Sequence, residues 1–416
     1  TTVGSLVLSA FAGNLEERSK LSRVASFAAA LWAGAAAVNF VMTYLSVSGS
    51  AISYGPTFSD GLWLFATQIE LGTLLVWNLG FAFLLSLSTL AFNGRRMNAV
   101  NAAIAIAGLY PLAASGHASG DAGHALAVNS LLMHLVGISI WVGGLIALYA
   151  VFRGDNQRTA VLVSRYSTLA FVAFIMVAVS GVTSGIIRLY EPADLFTSYG
   201  LLLMLKASLL VVLGLFGARH RLGLVKKLAE RSVSFWRLAI FELGVMGLAV
   251  GMGTALARTQ TPLDAAEFVP LTPAEILTGD KLPPELTDLA WVTVWDIDVL
   301  WMSVSLGAIA LYLYGVSVLR KRGDKWPLVR TISFVSGMLV LLYVTNGAMN
   351  AYQEYLFSVH MVGHMVLSMM VPVLLVPGAP VTLLSRAQAP RKDGSWGMRE
   401  WVLWAVHTPF AWFVSH

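Results

Sequence analysis

Cysteine does not occur anywhere in the 416-residue chain. Its absence excludes disulfide bonds, thiolate metal sites, iron–sulfur clusters and cysteine nucleophiles together. Any metal ion bound by the chain must therefore be held by histidine, methionine or carboxylate side chains.

Charged residues are also scarce, at 12% of the chain against 57% hydrophobic residues. A soluble globular domain usually has about a quarter of its residues charged. The apolar runs are mostly about 20 residues or longer and lack strict alternation, which favours helices that cross a hydrocarbon core of about 30 Å over a β-barrel. The composition therefore predicts an all-α, polytopic transmembrane helical bundle. The modest net charge of +5 indicates membrane topology rather than nucleic-acid binding.

About eleven apolar spans can be placed along the chain, near 24–46, 63–92, 98–115, 124–151, 164–187, 199–218, 236–257, 296–319, 328–345, 354–376 and 400–416. The connections between them alternate between rich and poor in Lys and Arg. The basic set is 16–23, 93–97, 152–165, 217–237, 320–330 and 386–399. The positive-inside rule puts this set, and the N-terminus of the chain, in the cytoplasm. Because the chain opens and stops within apolar sequence, we expect native sequence to be missing at both ends.

One outer connection divides the chain. Residues 259–294 are rich in proline and contain six acidic residues and one lysine, as is typical of a linker between domains. We therefore predict an N-terminal extension of three spans (1–115), a four-span module (116–258), this linker (259–294), and a second module (295–416).

The tenth span carries the most distinctive chemistry, in the sequence YLFSVHMVGHMVLSMMVP. On a helix, His360 and His364 share one face, and Met361 and Met365 follow the neighbouring stripe. Imidazole with thioether suits copper, because soft sulfur selects Cu(I) and imidazole binds either oxidation state. A methionine stripe alone is more often a flexible core filler, so the histidines are what favour a metal site. The charge pattern predicts that they lie near the outer face.

Further histidines lie at the outer end of the fourth span. His117 precedes the span, His124 begins it, and Met133 and His134 lie within it. About 15 Å of helix separates His124 from His134, too far for one ion, although they could be successive stations on a path. An ionisable group inside the bilayer usually faces the bundle interior or a cavity, which favours a functional role for His134. His407 in the last span could complete the site at His360 and His364 only if the packing allows.

Three charges fall within predicted spans. Glu70 and Lys206 each lie about seven residues from the outer face, at a depth at which they could form an intramembrane pair. Glu242 comes from the opposite side and lies about 10 Å deeper than Lys206, which makes direct pairing of those two doubtful. A structural ion pair and a role in transport are equally compatible with these positions.

Residues 124–258 resemble the CopD family of copper resistance or uptake proteins. Four segments carry the resemblance in order: HALAVNSLLMHLVGISIWVGGLIAL, RYSTLAFVAFIMVAVSGVTSGIIRL, SYGLLLMLKASLLVVLGLFGARHR and FWRLAIFELGVMGLAVGMGTALA. Residues 291–416 resemble the CtaG family of cytochrome c oxidase assembly factors, through LYLYGVSVLRKRGDKWPLVRTISF and YLFSVHMVGHMVLSMMVPVLLVPGAPVTLLSRA. The order is that of an actinobacterial CopD–CtaG fusion.

The resemblance implies a multi-pass protein of a bacterial plasma membrane that handles copper and supports haem-copper oxidase assembly. The CtaG family's His-Met-x-x-His-Met element matches His360, Met361, His364 and Met365, and a CopD histidine matches His134. The expected partners are copper, lipid, and cytochrome c oxidase subunits or another copper chaperone. Nucleic acid is not expected as a partner.

Three hypotheses remain open at this point. The first is a copper-binding or copper-translocating protein, with Cu(I) favoured, that is not an enzyme; no nucleotide-binding loop of the form G-x-x-x-x-G-K-[ST] occurs. The second is a haem-binding membrane cytochrome or quinone oxidoreductase with histidines as axial ligands. The third is a metal-free assembly scaffold whose methionine stripe docks oxidase subunits.

Overall fold

The structure is a computed structural model that describes residues 1–53, 55–115, 124–151, 156–189, 191–219, 232–262 and 272–408, with 411 and 413. These residues form helices and connecting loops, and no strand occurs among them. Ten helices in this part of the chain are long and apolar enough to cross a membrane. The all-α, membrane-spanning class is thereby confirmed. The first ten predicted spans each correspond to one of these helices. The eleventh, described at 400–408, 411 and 413, begins with the shorter helix Met398–Val406.

The chain divides into two compact units, Thr1–Ser119 with Ser130–Phe268, and Gly120–Asn129 with Val269–His416. The helices of the first unit are α1 (Thr2–Phe11), α2 (Leu15–Ser48), α3 (Pro56–Gln68), α4 (Glu70–Ala91), α5 (Arg95–Ala107), α6 (Tyr110–Ala114), α7 (His124–Val151), α8 (Asn156–Arg188), α9 (Ser198–Arg219) and α10 (Ser232–Leu256). The beginning of α7, up to Asn129, is grouped with the second unit.

The second unit contains shorter elements as well as membrane-length helices. They are α11 (Pro273–Thr278), α12 (Ala290–Thr293), α13 (Val299–Lys321), α14 (Leu328–Asn346), α15 (Ala348–Tyr352), α16 (Phe357–Met365), α17 (Val371–Leu375), α18 (Pro380–Ala387) and α19 (Met398–Val406). A π turn, Val366–Met370, joins α16 to α17.

Helix α2 is longer than the apolar span predicted for it, 24–46, and the residues at its ends explain why. The side chain of Asn14 accepts a hydrogen bond from the backbone N–H of Glu16, and Gly49 ends the helix in the left-handed conformation at φ 63°. Charged residues between these caps and the apolar run are good helix formers, so α2 extends beyond the predicted span.

The second predicted span, 63–92, is interrupted. Ile69 has an extended backbone between α3 and α4, so Glu70 is the first residue of α4 and is exposed. The expectation that Glu70 lies about seven residues inside a continuous span was therefore wrong. Its carboxylate instead lies at a helix N-terminus, where the helix dipole favours negative charge.

A short apolar helix, α1, lies in the core of the first unit. Gly4 packs so closely on Gly143 and Gly144 of α7 that a Cβ at Gly4 would collide with their backbone. Asn98 of α5 donates to Ser9 Oγ of α1 at 2.5 Å and to Ser22 Oγ of α2 at 2.8 Å. These buried hydrogen bonds connect three helices where water is not available to satisfy them.

In the second unit, the described part of the predicted linker packs on α14 and α15. Three tyrosine hydroxyls donate to linker carbonyls: Tyr343 to Trp291 at 2.6 Å, Tyr352 to Pro284 at 2.8 Å, and Tyr355 to Asp280 at 3.0 Å. The segment is thus fixed at the end of the unit at which α16 begins.

Candidate copper sites and related proteins

His360 and His364 point towards each other from one face of α16. Their Nε2 atoms are 3.0 Å apart, and the rings meet edge to face with centroids 4.5 Å apart. If both Nε2 atoms bound one ion at about 2.0 Å, a separation of 3.0 Å would correspond to an N–metal–N angle of roughly 97°. The predicted i, i+4 pair therefore has a geometry that fits two ligands of one metal ion.

Another face of the same membrane span is packed. Val359 and Val371 are 3% and 6% exposed, and Gly363 is buried. Val359 belongs to an apolar cluster with Ala290, Ala348 and Tyr352. The core thereby fixes the rotation of α16, and both histidines lie on its exposed side.

The methionines line a groove beside the histidine pair. Met361 is 43% exposed and Met365 53% exposed. The groove has a volume of about 520 Å³, and its wall consists only of methionine and valine side chains: Met361, Val362, Met365, Val366, Met369, Met370 and Val373. Among the described residues, these methionine side chains are therefore not packed into a core.

Proline accounts for the π turn in the middle of this span. Pro372 has no N–H and its ring would clash with the carbonyl of Ser368 in a regular helix. The backbone N–H of Val371 instead bonds to Val366 O, five residues back. Within this turn, Ser368 Oγ donates a hydrogen bond to the backbone carbonyl of His364 at 2.6 Å. The π turn therefore begins two residues after His364 along the same span.

Among the described residues, no third histidine or carboxylate joins this pair. Within the part of the chain that the structure describes, no group of three or more His, Cys, Asp or Glu side chains could hold a metal ion. His407 follows the end of α19, and its Nδ1 lies 2.6 Å from the carbonyl of Leu403. A third ligand close to the pair can therefore come from the neighbouring thioethers.

His134 lies in α7 and is oriented by α8. Its Nδ1 is 2.9 Å from Ser180 Oγ, and that hydroxyl donates to the carbonyl of Met176 at 2.7 Å. Because a hydroxyl has a single hydrogen, Ser180 accepts from Nδ1–H and the Nε2 lone pair of His134 remains available. This is the arrangement that orients metal-binding histidines, and the sequence did not single out Ser180.

One cationic side chain lies near His134, and a second lies near the first. Lys206 of α9 is within electrostatic range of His134, and Arg188 of α8 is within range of Lys206. A Cβ placed on Gly253 would lie 3.4 Å from the Lys206 ammonium nitrogen, so that ammonium lies against α10. In a medium of low dielectric constant, the charge of Lys206 disfavours a cation at His134.

The other candidates are more dispersed. Met133 is 3% exposed and faces the core, so it does not share a surface with His134. His117 lies outside the described residues, as does the side chain of His124. Glu242 is 4% exposed and interacts electrostatically with Tyr166. Across the described part of the first unit, no hydrogen bond or ion pair joins Glu70 to Lys206.

Comparison with protein-family models gives three matches. Residues 1–127 match the copper resistance protein D-like N-terminal domain, residues 160–256 match copper resistance protein D, and residues 310–416 match the cytochrome c oxidase caa3 assembly factor, CtaG. The resemblance to a CopD–CtaG fusion is confirmed. The first match also covers the N-terminal spans, which carry no motif of their own.

Several curated proteins are similar to parts of the chain. The uncharacterized protein Mb0105 of Mycobacterium bovis is 35% identical over 177 residues, 40% of this chain and 27% of that protein. The inner membrane protein YebZ of Escherichia coli is 27% identical over 45% of this chain and 67% of its own length. The copper transport protein CutJ of Bacillus subtilis is 30% identical over 36% of this chain and 28% of its own. The chain thus spans about a quarter of the length of Mb0105. No solved structure matches significantly.

Proposed function

We propose that this chain, which joins copper resistance protein D segments to a caa3 assembly factor segment, is an integral membrane protein that binds copper as cargo. In this proposal, its second unit supplies the ion for assembly of a haem-copper oxidase, and the protein catalyses no reaction itself. The observation that carries the proposal is the 3.0 Å approach of the His360 and His364 Nε2 atoms on an exposed helix face.

The donor set supports copper over other common metals. Two imidazoles supplemented by the thioether of Met361 or Met365 combine the ligands that suit copper in either oxidation state, with sulfur favouring Cu(I). A third ligand on a flexible methionine leaves the site open, as a site that passes its ion to another protein requires.

The alternating basic connections support an orientation with a cytoplasmic N-terminus and with His360 and His364 near the outer face of a bacterial plasma membrane. In that orientation the histidine pair faces the compartment in which an oxidase subunit or another copper chaperone would meet it.

In the first unit, we propose His134 as a transient copper station. One imidazole with an available Nε2 can bind an incoming ion, but the charge of Lys206 weakens retention. Weak binding suits a step in transport better than storage. The proposal also includes His117, His124 and Met133 as further copper-binding residues, with Met133 apart from the surface on which His134 lies.

The decisive experiment is the double substitution His360→Ala with His364→Ala in the purified full chain. We expect the variant to lose one copper equivalent per protein by elemental analysis, and to fail to support oxidase maturation in a host that depends on this protein. The matched control is His407→Ala, which removes an exposed imidazole from a helix end elsewhere in the unit. Unchanged copper content in the double variant would refute the proposal.

The same preparation tests the two alternatives. Bis-histidine haem ligation places two imidazoles on opposite faces of the porphyrin, whereas His360 and His364 converge from one helix, so we expect no Soret band. Wild-type protein that copurifies with the oxidase but contains no metal would favour the scaffold.

A further inference from the structure

We infer that Met365, Met369 and Met370 form a second Cu(I) position, built from thioethers alone, one turn beyond the histidine pair along the same span. The inference rests on the proposed copper function. It goes further because it adds Met369 and Met370 as ligands and specifies the oxidation state of the ion at this position. It also explains how the π turn contributes, by bringing Met370 close to Met365.

The π turn brings these three residues to one face. In an uninterrupted α-helix, Met370 would lie five residues from Met365 and hence roughly 140° around the axis. A π turn accommodates about one additional residue. The residues that come after it are therefore rotated back by roughly 100° around the helix axis, compared with their positions in a regular α-helix. Met370 therefore lies only about 40° from Met365, while Met369 remains close to the same stripe.

The surface groove along this segment agrees with this placement. Met365, Met369 and Met370 all line one groove of about 520 Å³, and their side chains are 53%, 58% and 49% exposed. Neighbouring positions of this kind have Cβ atoms about 5–6 Å apart. Methionine side chains with three rotatable bonds can close that distance around an ion at about 2.3 Å from each sulfur.

The chemistry of the groove selects one oxidation state. Its wall offers thioethers and methyl groups but no imidazole or carboxylate oxygen. Cu(I) binds to such soft donors, whereas Cu(II) and Zn²⁺ favour the imidazoles of His360 and His364. An ion that passes from the histidine pair to the methionines must therefore be Cu(I), so the segment discriminates between the two oxidation states.

The test compares Cu(I) binding by three forms of the purified full chain, by competition with a chromogenic cuprous chelator. Met369→Leu with Met370→Leu preserves volume and apolarity, and should lose one Cu(I) equivalent relative to the wild type while Cu(II) binding at the histidines is unchanged. The control is Met42→Leu with Met398→Leu, which changes methionines that are 58% and 52% exposed outside the groove. This control should bind as the wild type does.

A third variant tests the geometry without removing any sulfur. Pro372→Ala permits a regular helix, which rotates Met370 away from Met365, so Cu(I) affinity at the second position should fall by about tenfold or more. Copper X-ray absorption spectra should show a mainly sulfur ligand shell once His134→Ala is combined with His360→Ala and His364→Ala.

The outcomes separate the two proposals. Wild-type protein that binds no copper overturns the proposed function. If the His360→Ala, His364→Ala variant loses copper but the Met369→Leu, Met370→Leu variant binds as much as the wild type, only this inference is overturned.

Discussion

At the scale of single residues, His134 shows how one hydrogen bond and one charge can act in opposite senses. Ser180 holds the Nδ1 side of the ring at 2.9 Å and leaves Nε2 available to a metal ion. Lys206 places a positive charge within electrostatic range of the same ring. In the proposed copper station, the ring is therefore oriented to bind a metal ion while a nearby charge opposes it, and we expect the balance of these effects to decide how long an ion stays.

The substitution Lys206→Met tests that balance. We expect it to increase the copper retained by the purified protein, because it removes the nearby repulsion, and His134→Ala in the same background should cancel the gain. Copper per protein, measured by mass spectrometry, provides the comparison. Lys206→Arg keeps the charge and should behave as the wild type. Equal copper in Lys206→Met and Lys206→Arg would contradict the electrostatic account.

At the scale of helices, Asn98 is the residue through which α1, α2 and α5 depend on one another. Its amide makes two buried hydrogen bonds, to Ser9 and Ser22. An unsatisfied buried polar group costs about 1–3 kcal/mol, and burial of Asn98, Ser9 and Ser22 keeps water from replacing a lost hydrogen bond. The position of α1 should therefore be sensitive to this single side chain.

We expect Asn98→Ala to lower the thermal unfolding midpoint of the protein in detergent. Asn101→Ala is the matched control: Asn101 is also fully buried on α5, but its Nδ2 has no partner and its Oδ1 accepts one bond, from Ser88. The loss should be smaller for Asn101→Ala. A larger loss for Asn101→Ala would show that the contacts between α1, α2 and α5 do not depend on the Asn98 hydrogen bonds.

Hydropathy was sufficient to predict the long helices but not the features that shape the sites. The ten residues of α1 are too few to be recognised as a span. The extended backbone at Ile69 has no strong signal in the sequence, so Glu70 was placed too deep. Pro372 was visible, but its effect on Met370 depends on where the helix absorbs the lost hydrogen bond.

The site at His360 and His364 could be predicted from the sequence more completely than the site at His134. The His360 and His364 pair follows from a single helix, so i, i+4 spacing predicts it directly. The surroundings of His134 come from α8 and α9 as well as α7, and only packing brings Ser180 and Lys206 to it. Sites made of several helices are therefore poorly predicted from spacing alone.

At the scale of the whole molecule, each unit has its own core, and the second also carries an acidic group at one end. Asp280 lies in the tyrosine-bound segment, Asp296 precedes α13, and Glu354 precedes α16. Partial desolvation and the charges of Asp280 and Asp298 raise the pKa of Asp296. Desolvation, with Asp280 and Asp296, also raises the pKa of Glu354. These carboxylates repel one another once they are ionised.

The sign of the resulting pH dependence follows from linkage. A carboxyl whose pKa is raised in the folded state binds its proton more tightly than in the unfolded chain. Its contribution to stability is therefore full below the unfolded value of 3.8 and is lost as the pH rises through the folded value. We expect Asp296→Asn to raise the unfolding midpoint at about pH 7.5 and to have little effect at about pH 3.5.

The asparagine can still accept the hydrogen bond that Asn350 Nδ2 donates to Asp296 Oδ2 at 2.8 Å. The control is Asp288→Asn, which changes an exposed aspartate in the linker that also contains Asp280. It should change the unfolding midpoint little at either pH. A stabilisation by Asp296→Asn that is the same at both pH values would show that repulsion between ionised carboxylates is not its cause.

The 3.0 Å approach of the His360 and His364 Nε2 atoms has a consequence for how a metal ion is taken up. In the hydrogen bond between them, one ring donates and the other accepts, so the two neutral imidazoles are in different tautomeric forms. An ion bound by both Nε2 atoms needs the proton of the donor ring to move to Nδ1. On the proposed function, proton and copper are therefore alternative occupants of one position, and they exchange through a change of tautomer without any rearrangement of the helix.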